Sequence, residues 1–374
     1  MTTQTQLTPS QQNTIAREML LQTGISMVKQ LPVNAGNAPG ANIQIPLQRM
    51  GILTGVMLHF TVDMDITSAA TASAYGPWNL VQNISYTDFA GVNRTNTNGW
   101  QLYAGQALKA LDLPGVSSYG TAPDGISGIG AINTNILQQP TAVNATAQMQ
   151  FGLYLPIAYD PTSDLRGAVM TQTNIGEHYI TINTSNAMVG TDPWACPYTA
   201  GTITGTTISV QAYQMYIQPQ NMTAAMLPLI DLSTIYGFEG GYKTTANIAG
   251  NQSTFINYPN NRSILGTLIN YENGGAFTLN ETDISLVTML VNSNTHFREL
   301  SPRLVREQMR HMLKGDLPSG TYYLGSRRQP ILTQQYANVQ AKMDVVTANA
   351  GTTQFLSQFE VLYPSGTPLP GVTP

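Results

Sequence analysis

Charge is scarce in this sequence. Lys and Arg together number 16 and Asp and Glu number 20, so charged residues make up 10% of the 374 residues and the net charge is −4. An average soluble domain has about a quarter of its residues charged, and proteins that grip nucleic acid phosphates carry a concentrated basic excess. We therefore expect no direct sequence-specific binding of nucleic acid. Uncharged surfaces suit packing against neighbouring proteins instead, because each buried charge costs desolvation energy.

Candidate metal ligands are also few. Cys196 is the single cysteine, which excludes a disulfide within the chain. None of the four histidines forms the i, i+4 pair of a zinc-protease helix. His59, Asp63 and Asp65 share one face of a predicted strand, but a rise of about 3.3 Å per residue places His59 and Asp63 about 13 Å apart along it. The sequence therefore predicts no metal site.

Catalytic, cofactor and targeting motifs are missing as well. Gly115–Gly120 is one residue too long for a Gly-x-Ser-x-Gly elbow, and Gly125–Gly130 lacks the glycine order of a dinucleotide fingerprint. No apolar run reaches the roughly twenty residues that span a bilayer, and no secretion signal begins the chain. We expect a protein that is made in a cytoplasm, works unprocessed, binds no cofactor and is not an enzyme.

Hydrophobic residues are plentiful, at 42% of the chain, and they follow the periodicity of strands. From Val56 to Ile66 the even positions are apolar and the odd positions are mostly polar, which predicts a half-buried antiparallel strand. Further strands are predicted at Leu80–Asp88, Met149–Ile157, Ile208–Ile217, Ile264–Tyr271, Ile331–Val339 and Phe355–Tyr363. Many short strands separated by Gly, Pro and Asn predict an all-β sandwich or barrel.

The two halves of the chain repeat the same order of signals. The strand at Asn79–Asp88 and the strand at Ser263–Tyr271 each lead into a polar turn. A later strand is followed by a Pro-started helix, at Asp160-Pro161 in the first half and at Ser301-Pro302 in the second. This order predicts a duplicated β-unit that joins near Gln218–Leu227. A long loop is predicted at Leu113–Asn144.

An amphipathic helix is predicted at the N-terminus. Thr8-Pro9-Ser10-Gln11 reads as a capping box with Pro at the first helical position. Four apolar residues then recur at near-helical spacing: Ile15, Met19, Ile25 and Val28. The Pro-, Gly- and Asn-rich segment Leu31–Gly40 ends the helix as a linker. With Arg17 and Lys29 flanking its apolar stripe, the helix could dock on its own domain or lie on a lipid surface, and the residues leave both alternatives open.

A second helix, Arg303–Leu313, carries most of the clustered positive charge. Its buried stripe is predicted to be Leu304, Val305, Met309 and Met312. Its other side carries Arg303, Arg306, Arg310, His311 and Lys314. One interpretation is an anion site for a lipid headgroup or the genome. The favoured interpretation is a solvated face or an interface with salt bridges between subunits, because charge on an amphipathic helix normally faces water.

Seven segments in order along the chain carry a family resemblance. They are Leu7-Thr8-Pro9, Tyr75–Gln82, Asn98–Leu102, Leu227–Tyr236, Asn273–Phe277, Leu317–Tyr323 and Pro330–Val339. On these residues, and most specifically on the ten residues Leu227–Tyr236, the chain resembles tectivirus-type major capsid proteins of tailless bacteriophages with an internal membrane. The loop at 113–144 and the tail after Tyr363 match poorly, which leaves their contacts open.

The resemblance implies a double jelly roll, with two upright eight-stranded β-barrels. The boundaries we expect are an N-terminal helix and linker at 1–40, a first jelly roll at 41–218, a second at 219–363 and an extended tail at 364–374. The resemblance also implies homotrimers of pseudo-hexameric outline that tile an icosahedral shell around an internal lipid membrane. The N-terminal helix would then point inward toward that membrane.

The same resemblance implies partners and a location. The partners would be further copies of the chain, neighbouring trimers, minor capsid, membrane and vertex proteins, and the internal viral membrane. The protein would be found in the capsid shell of a virion that is assembled in the bacterial host cytoplasm. A trimeric receptor-binding spike or lectin-like β-module is the alternative, although only Trp78, Trp100 and Trp194 are available to stack on sugars. A β-sandwich glycosidase would need two facing carboxylates, which a sequence alone does not reveal.

Overall fold

A computed structural model describes residues 8–112, 139–172, 176–192, 194–220, 232–246, 252–273, 283–293, 295–313, 320–326, 330–346 and 353–364. The first half contains α1 (Pro9–Thr23), β1 (Ile25–Gln30), β2 (Asn34–Asn37), β3 (Asn42–Pro46), β4 (Ile52–Ala72), β5 (Val81–Thr87), β6 (Asn93–Thr97), α2 (Gly99–Asp112), β7 (Asn144–Pro156), β8 (Val169–Met170), β9 (Tyr179–Thr184) and β10 (Tyr198–Gln218).

The second half contains β11 (Thr234–Ala246), β12 (Gln252–Asn257), β13 (Ser263–Asn273), β14 (Ile284–Val291), β15 (Thr295–Leu300), α3 (Pro302–Leu313), β16 (Thr321–Gly325), β17 (Ile331–Leu332), β18 (Val339–Val345) and β19 (Thr353–Pro364). Short 3-10 helices lie at Trp78–Leu80 and Thr333–Gln335. Within these described elements, no helix is long and apolar enough to cross a bilayer.

Each half folds into two facing sheets of the same strand order. The first half has the orders β1-β10-β4-β7 and β3-β9-β5-β6, and the second half has β11-β19-β13-β16 and β12-β18-β14-β15. By position in these orders, β1 is equivalent to β11, β3 to β12, β4 to β13, β5 to β14 and β6 to β15. After the last of these strands each half continues with a helix, α2 in the first half and α3 in the second. The repeated unit is a jelly roll, so the prediction of a double jelly roll is confirmed.

The cores consist of residues that alternate along the strands. In β4 the side chains of Val56, Leu58, Phe60, Val62, Met64 and Ile66 are buried, as predicted. Phe60 stacks on Phe151 of β7 with ring centroids 4.7 Å apart. In β19 the polar positions Ser357, Gln358 and Glu360 are buried as well. This strand is therefore covered on both faces.

The predicted N-terminal helix is wrong beyond Thr23. The capping box at Thr8 and Gln11 forms as predicted, but the chain turns extended at Gly24, with φ −66° and ψ 142°. Ile25–Gln30 then pairs with β10, where Ile25 lies opposite Gln218 and Gln30 opposite Tyr213. Ile25, Val28 and Lys29 thus belong to an edge strand and not to the helix. Pairing with β10 satisfies their backbone groups, which outweighs a near-helical spacing of apolar residues.

Four other local predictions fail. The predicted linker Leu31–Gly40 contains β2 (Asn34–Asn37), which pairs with β10. The segment after Tyr159 forms a tight turn in which Asp160 and Asp164 exchange backbone hydrogen bonds, and the helix of the first half is α2 instead. The predicted strand Ile331–Val339 is strand only at its ends, around the 3-10 helix. Leu304, expected in the buried stripe of α3, is 45% exposed, whereas Val305 and Met309 are buried.

Candidate functional site

The two jelly rolls are fused along one seam. β6, the edge of a first-half sheet, meets β11, the edge of a second-half sheet, in a parallel bridge between Asn96 and Glu239, and this joins the two sheets into one of nine strands. A Cβ atom on Gly237 would lie 1.8 Å from the backbone oxygen of Arg94. Glycine at this position therefore permits the backbones of the two rolls to touch.

Hydrogen bonds cross the seam, and the first of the two described here is fully buried. Gln358 Nε2 donates to Thr97 Oγ1 at 2.6 Å, and the backbone N–H of Gly241 donates to Gln101 Oε1 at 3.1 Å. Gln101 is the third residue of α2 and is fully buried. Such contacts fix the relative position of the rolls, because a buried polar group that loses its partner costs about 1–3 kcal/mol.

Two buried ion pairs flank the seam. Arg94 Nε lies 2.7 Å from Asp88 Oδ2, and Arg262 Nε lies 2.8 Å from Glu239 Oε1. Arg262 is 1% exposed, and its guanidinium carbon sits 3.8 Å from the centroid of the Tyr363 ring. Burial raises the pKa of Glu239, and Arg262 opposes that rise. Each pair lies within one roll, where it anchors the strand that forms the seam, β6 in the first roll and β11 in the second.

The candidate lipid-facing residues are split between two elements. α1 buries Ala16 and Leu20 in a small apolar cluster with Ile52, Ala158, Leu165, Ala168 and Ile217. Ile15 is 41% exposed, and Met19 and Arg17 are half-buried. Val28 and Lys29 are exposed on β1. The helix therefore docks on its own roll through a face other than the predicted stripe.

The basic helix lies against the second roll. α3 packs against β14, β16 and α2. Arg303 is exposed and Arg306 is half-buried. The side chains of Arg310, His311 and Met312 and the whole of Lys314 lie outside the described part of the chain. The role of α3 as an anion site or as an interface between subunits stays a prediction.

The ionisable groups considered as metal ligands lie apart. Asp63 accepts a hydrogen bond from Gln148 Nε2 at 2.8 Å, and burial lowers the pKa of His59. Burial also lowers the pKa of His178 to about 4, next to Tyr86 and Phe89. Over the described ranges, no three His, Cys, Asp or Glu side chains are grouped closely enough to hold a metal ion. Gly115–Gly120 and Gly125–Gly130 fall outside the described residues.

The seam and α2 are what sequence reasoning missed. The seam residues are far apart in sequence, as Thr97 and Gln358 show, and no local pattern brings them together. The sequence offers one signal: Glu239 lies within β11, Gln358 and Glu360 lie within β19, and Arg262 directly precedes β13, and all four polar residues are buried. Charged or amide residues within such strands indicate a buried network or an interface.

Comparison with known proteins gives the family. The family model described as "P3 major capsid protein N-terminal" matches residues 5–219, and the model described as "P3 major capsid protein C-terminal" matches residues 233–366. The major capsid protein P3 of Enterobacteria phage PRD1 is 29% identical over 371 residues, covering 92% of each chain.

Solved structures share the fold. The STIV MCP crystal structure has a TM-score of 0.64 at 11% identity, covering 91% of this chain and 97% of the other. The PBCV-1 virus capsid has a TM-score of 0.62 at 12% identity, covering 94% and 97%. These neighbours share the double jelly-roll fold, and the predicted resemblance is confirmed. Because one family model matches more than half of its length, the chain belongs to the P3 major capsid protein family.

Proposed function

We propose that three copies of this chain form a trimer of six jelly rolls with a pseudo-hexagonal outline, and that such trimers tile an icosahedral capsid shell. Family membership makes the chain a major capsid protein of a virion. The observation that carries the finer proposal is the fusion of two rolls of identical strand order along the β6–β11 seam. Such a pair supplies one third of a six-lobed ring, and head-to-tail contacts between copies form a closed ring when the rotation from one copy to the next closes.

The composition of the chain supports permanent association. Obligate interfaces bury roughly 2,000–5,000 Å² and are depleted of charge at their core, and this chain is 10% charged. Closed rolls also hide most strand edges, which matters where copies crowd together in a shell. No catalytic role is part of the proposal. Minor capsid and vertex proteins as partners, and assembly in a bacterial cytoplasm, rest on the family resemblance.

The purified protein is expected to be a stable trimer without detergent. Light scattering after size-exclusion chromatography should give three times the chain mass of 40.4 kDa, and negative-stain images should show six-sided particles. A monodisperse monomer would contradict the proposal. Soluble trimers that agglutinate cells and never form hexagonal arrays would favour a receptor-binding spike instead.

We further propose that the N-terminal helix lies at the inner surface of the shell, next to a lipid membrane. Because Ala16 and Leu20 pack against the roll, lipid contact is left to the exposed side, which includes Ile15 and, half-buried, Arg17. Weak, reversible binding at the membrane surface suits such a small apolar area.

Deletion of residues 1–23 is expected to spare the trimer and to lower binding to vesicles of phosphatidylethanolamine and phosphatidylglycerol. The deletion stops before Gly24, because β1 must remain paired with β10. Vesicle flotation measures the bound fraction, and Val143→Ser, which alters an exposed residue far from α1 in sequence, serves as the control. Equal flotation of the deleted and complete proteins would refute the membrane role.

A further inference from the structure

The two strands that form the seam within the chain have equivalents at sheet edges elsewhere in the chain. The seam joins β6, the edge strand before α2, to β11, the first strand of the second roll. By strand order, the equivalent of β6 in the second roll is β15, and the equivalent of β11 in the first roll is β1. Among the described strands, β15 pairs only with β14 and β1 only with β10, so each keeps one open edge.

The open edge at β1 is apolar. All six residues of β1 are exposed, and Ile25, Met27 and Val28 are 53%, 43% and 61% exposed. Apolar side chains along an open strand edge favour association with another chain. A shell protein that is stored and assembled at high concentration needs this edge covered by a defined partner.

The residue pairing in the two rolls predicts which positions would meet. Ile25 lies opposite the last residue of β10, as Thr234 lies opposite the last residue of β19. Counting on, Gln30 is equivalent to Glu239. The equivalence of β15 and β6 is counted in the same way. The fourth residue of β14, Val287, lies opposite Leu300 of β15, and the fourth residue of β5, Ile84, lies opposite Thr97 of β6. Glu299 is therefore equivalent to Asn96, the residue bridged to Glu239.

We infer that β15 of one copy docks in parallel against β1 of the next copy, with Glu299 beside Gln30, in a repeat of the internal seam. This rests on the proposed trimer and specifies its contact. In the proposed trimer, the internal seam and this contact alternate between neighbouring rolls, so that six rolls from three copies complete a closed ring. Every β1 edge is then covered.

The helix after β15 supports this contact. Leu304 is the third residue of α3, as Gln101 is the third residue of α2, and Gln101 reaches across the internal seam to Gly241. Leu304 is 45% exposed in the single chain. Where Gly237 allows close backbone contact inside the chain, the equivalent position in β1 is Val28. The backbones of β15 and β1 therefore lie farther apart than those of β6 and β11, and side chains that include Val28 and Leu304 fill the space between them.

Cysteine cross-linking tests this arrangement. In a Cys196→Ser background, Gln30→Cys combined with Glu299→Cys is treated with a short bismaleimide and run on a denaturing gel. The expected products are covalent dimers and trimers. Either cysteine alone is expected to give none, because a head-to-tail contact places unlike residues together. Val143→Cys with Glu299→Cys, which pairs the same strand with an exposed residue outside β1, is the matched control.

The outcomes separate this inference from the proposed function. Trimers in light scattering that give no Gln30–Glu299 product would overturn the β15–β1 contact and leave the trimer standing. Cross-linking by Gln30→Cys alone would show a two-fold contact between β1 strands and would also overturn it. A monomer in light scattering would instead contradict the proposed trimer. As an independent check, Val28→Asp should abolish the trimer peak, whereas Val143→Asp should leave it unchanged.

Discussion

Arg262→Ala is expected to lower the free energy of unfolding by about 3–5 kcal/mol, the range for removing one partner of a buried ion pair. The substitution leaves Glu239, which is 3% exposed, without the cation 2.8 Å away. It also removes the guanidinium that lies over the Tyr363 ring. Both lost contacts belong to the second roll next to the seam, so the loss should appear as a lower urea midpoint.

The pH dependence of this variant follows from Glu239. Burial already raises the pKa of that carboxyl, and Arg262 opposes the rise. Without Arg262 the folded-state pKa rises further above its unfolded value. The folded variant then prefers a protonated Glu239, so its stability falls as pH rises above the unfolded pKa of about 4.3. The deficit relative to the unmodified protein should therefore be larger at pH 7.5 than at pH 5.

Two controls isolate the buried charge. Arg166→Ala removes an Arg whose pair with Asp164 is similarly short, 2.7 Å, but whose side chain is 44% exposed. Such an exposed pair contributes about 0–1 kcal/mol. Arg262→Met combined with Glu239→Leu should recover much of the loss, because a buried pair replaced by apolar residues is often neutral. Equal effects of Arg262→Ala and Arg166→Ala would contradict a structural role for the buried pair.

Most strands can be predicted because a strand with one buried face has apolar residues at every second position. β4 and β7 follow this pattern, and their apolar positions are those that pack in the first core. β19 deviates because α2 and the seam cover its second face, where Gln358 donates to Thr97. A sequence shows which positions are apolar, but it does not show that a polar face will be covered by another part of the chain.

The helices illustrate the limits of periodicity. The spacing of Ile15, Met19, Ile25 and Val28 suggested one long helix, yet pairing with β10 converts its second half into β1. The sequence pattern does not reveal α2, because this helix buries the polar residues Gln101 and Gln106 together with apolar residues such as Trp100, Leu102 and Tyr103. Its buried side therefore does not stand out as an apolar stripe. The sequence pattern therefore aligns the helix of the second half with the turn at Asp160 instead of with α2, although the duplication itself is present in the strand order.

The seam makes a second strong prediction, which concerns a single methyl group. Gly237→Ala is expected to lower the free energy of unfolding by about 3 kcal/mol, the upper part of the range for overpacking. The added Cβ atom would lie 1.8 Å from the Arg94 backbone oxygen and 2.9 Å from Thr95 Oγ1. A backbone oxygen cannot rotate away as a side chain can, so β6 and β11 must move apart.

Separation of these strands should uncouple the rolls as well as destabilise them. The hydrogen bonds from Gln358 to Thr97 and from Gly241 to Gln101 depend on the same spacing. Urea unfolding of Gly237→Ala should therefore broaden into two transitions, one for each roll, where the unmodified protein shows one. Gly205→Ala is the control, since its φ of +60° carries the usual strain of a left-handed glycine but its Cβ would meet no atom within 4 Å. If Gly237→Ala unfolds in one transition with no greater loss than Gly205→Ala, the β6–β11 contact does not couple the rolls, and the ring built on its repetition loses its basis.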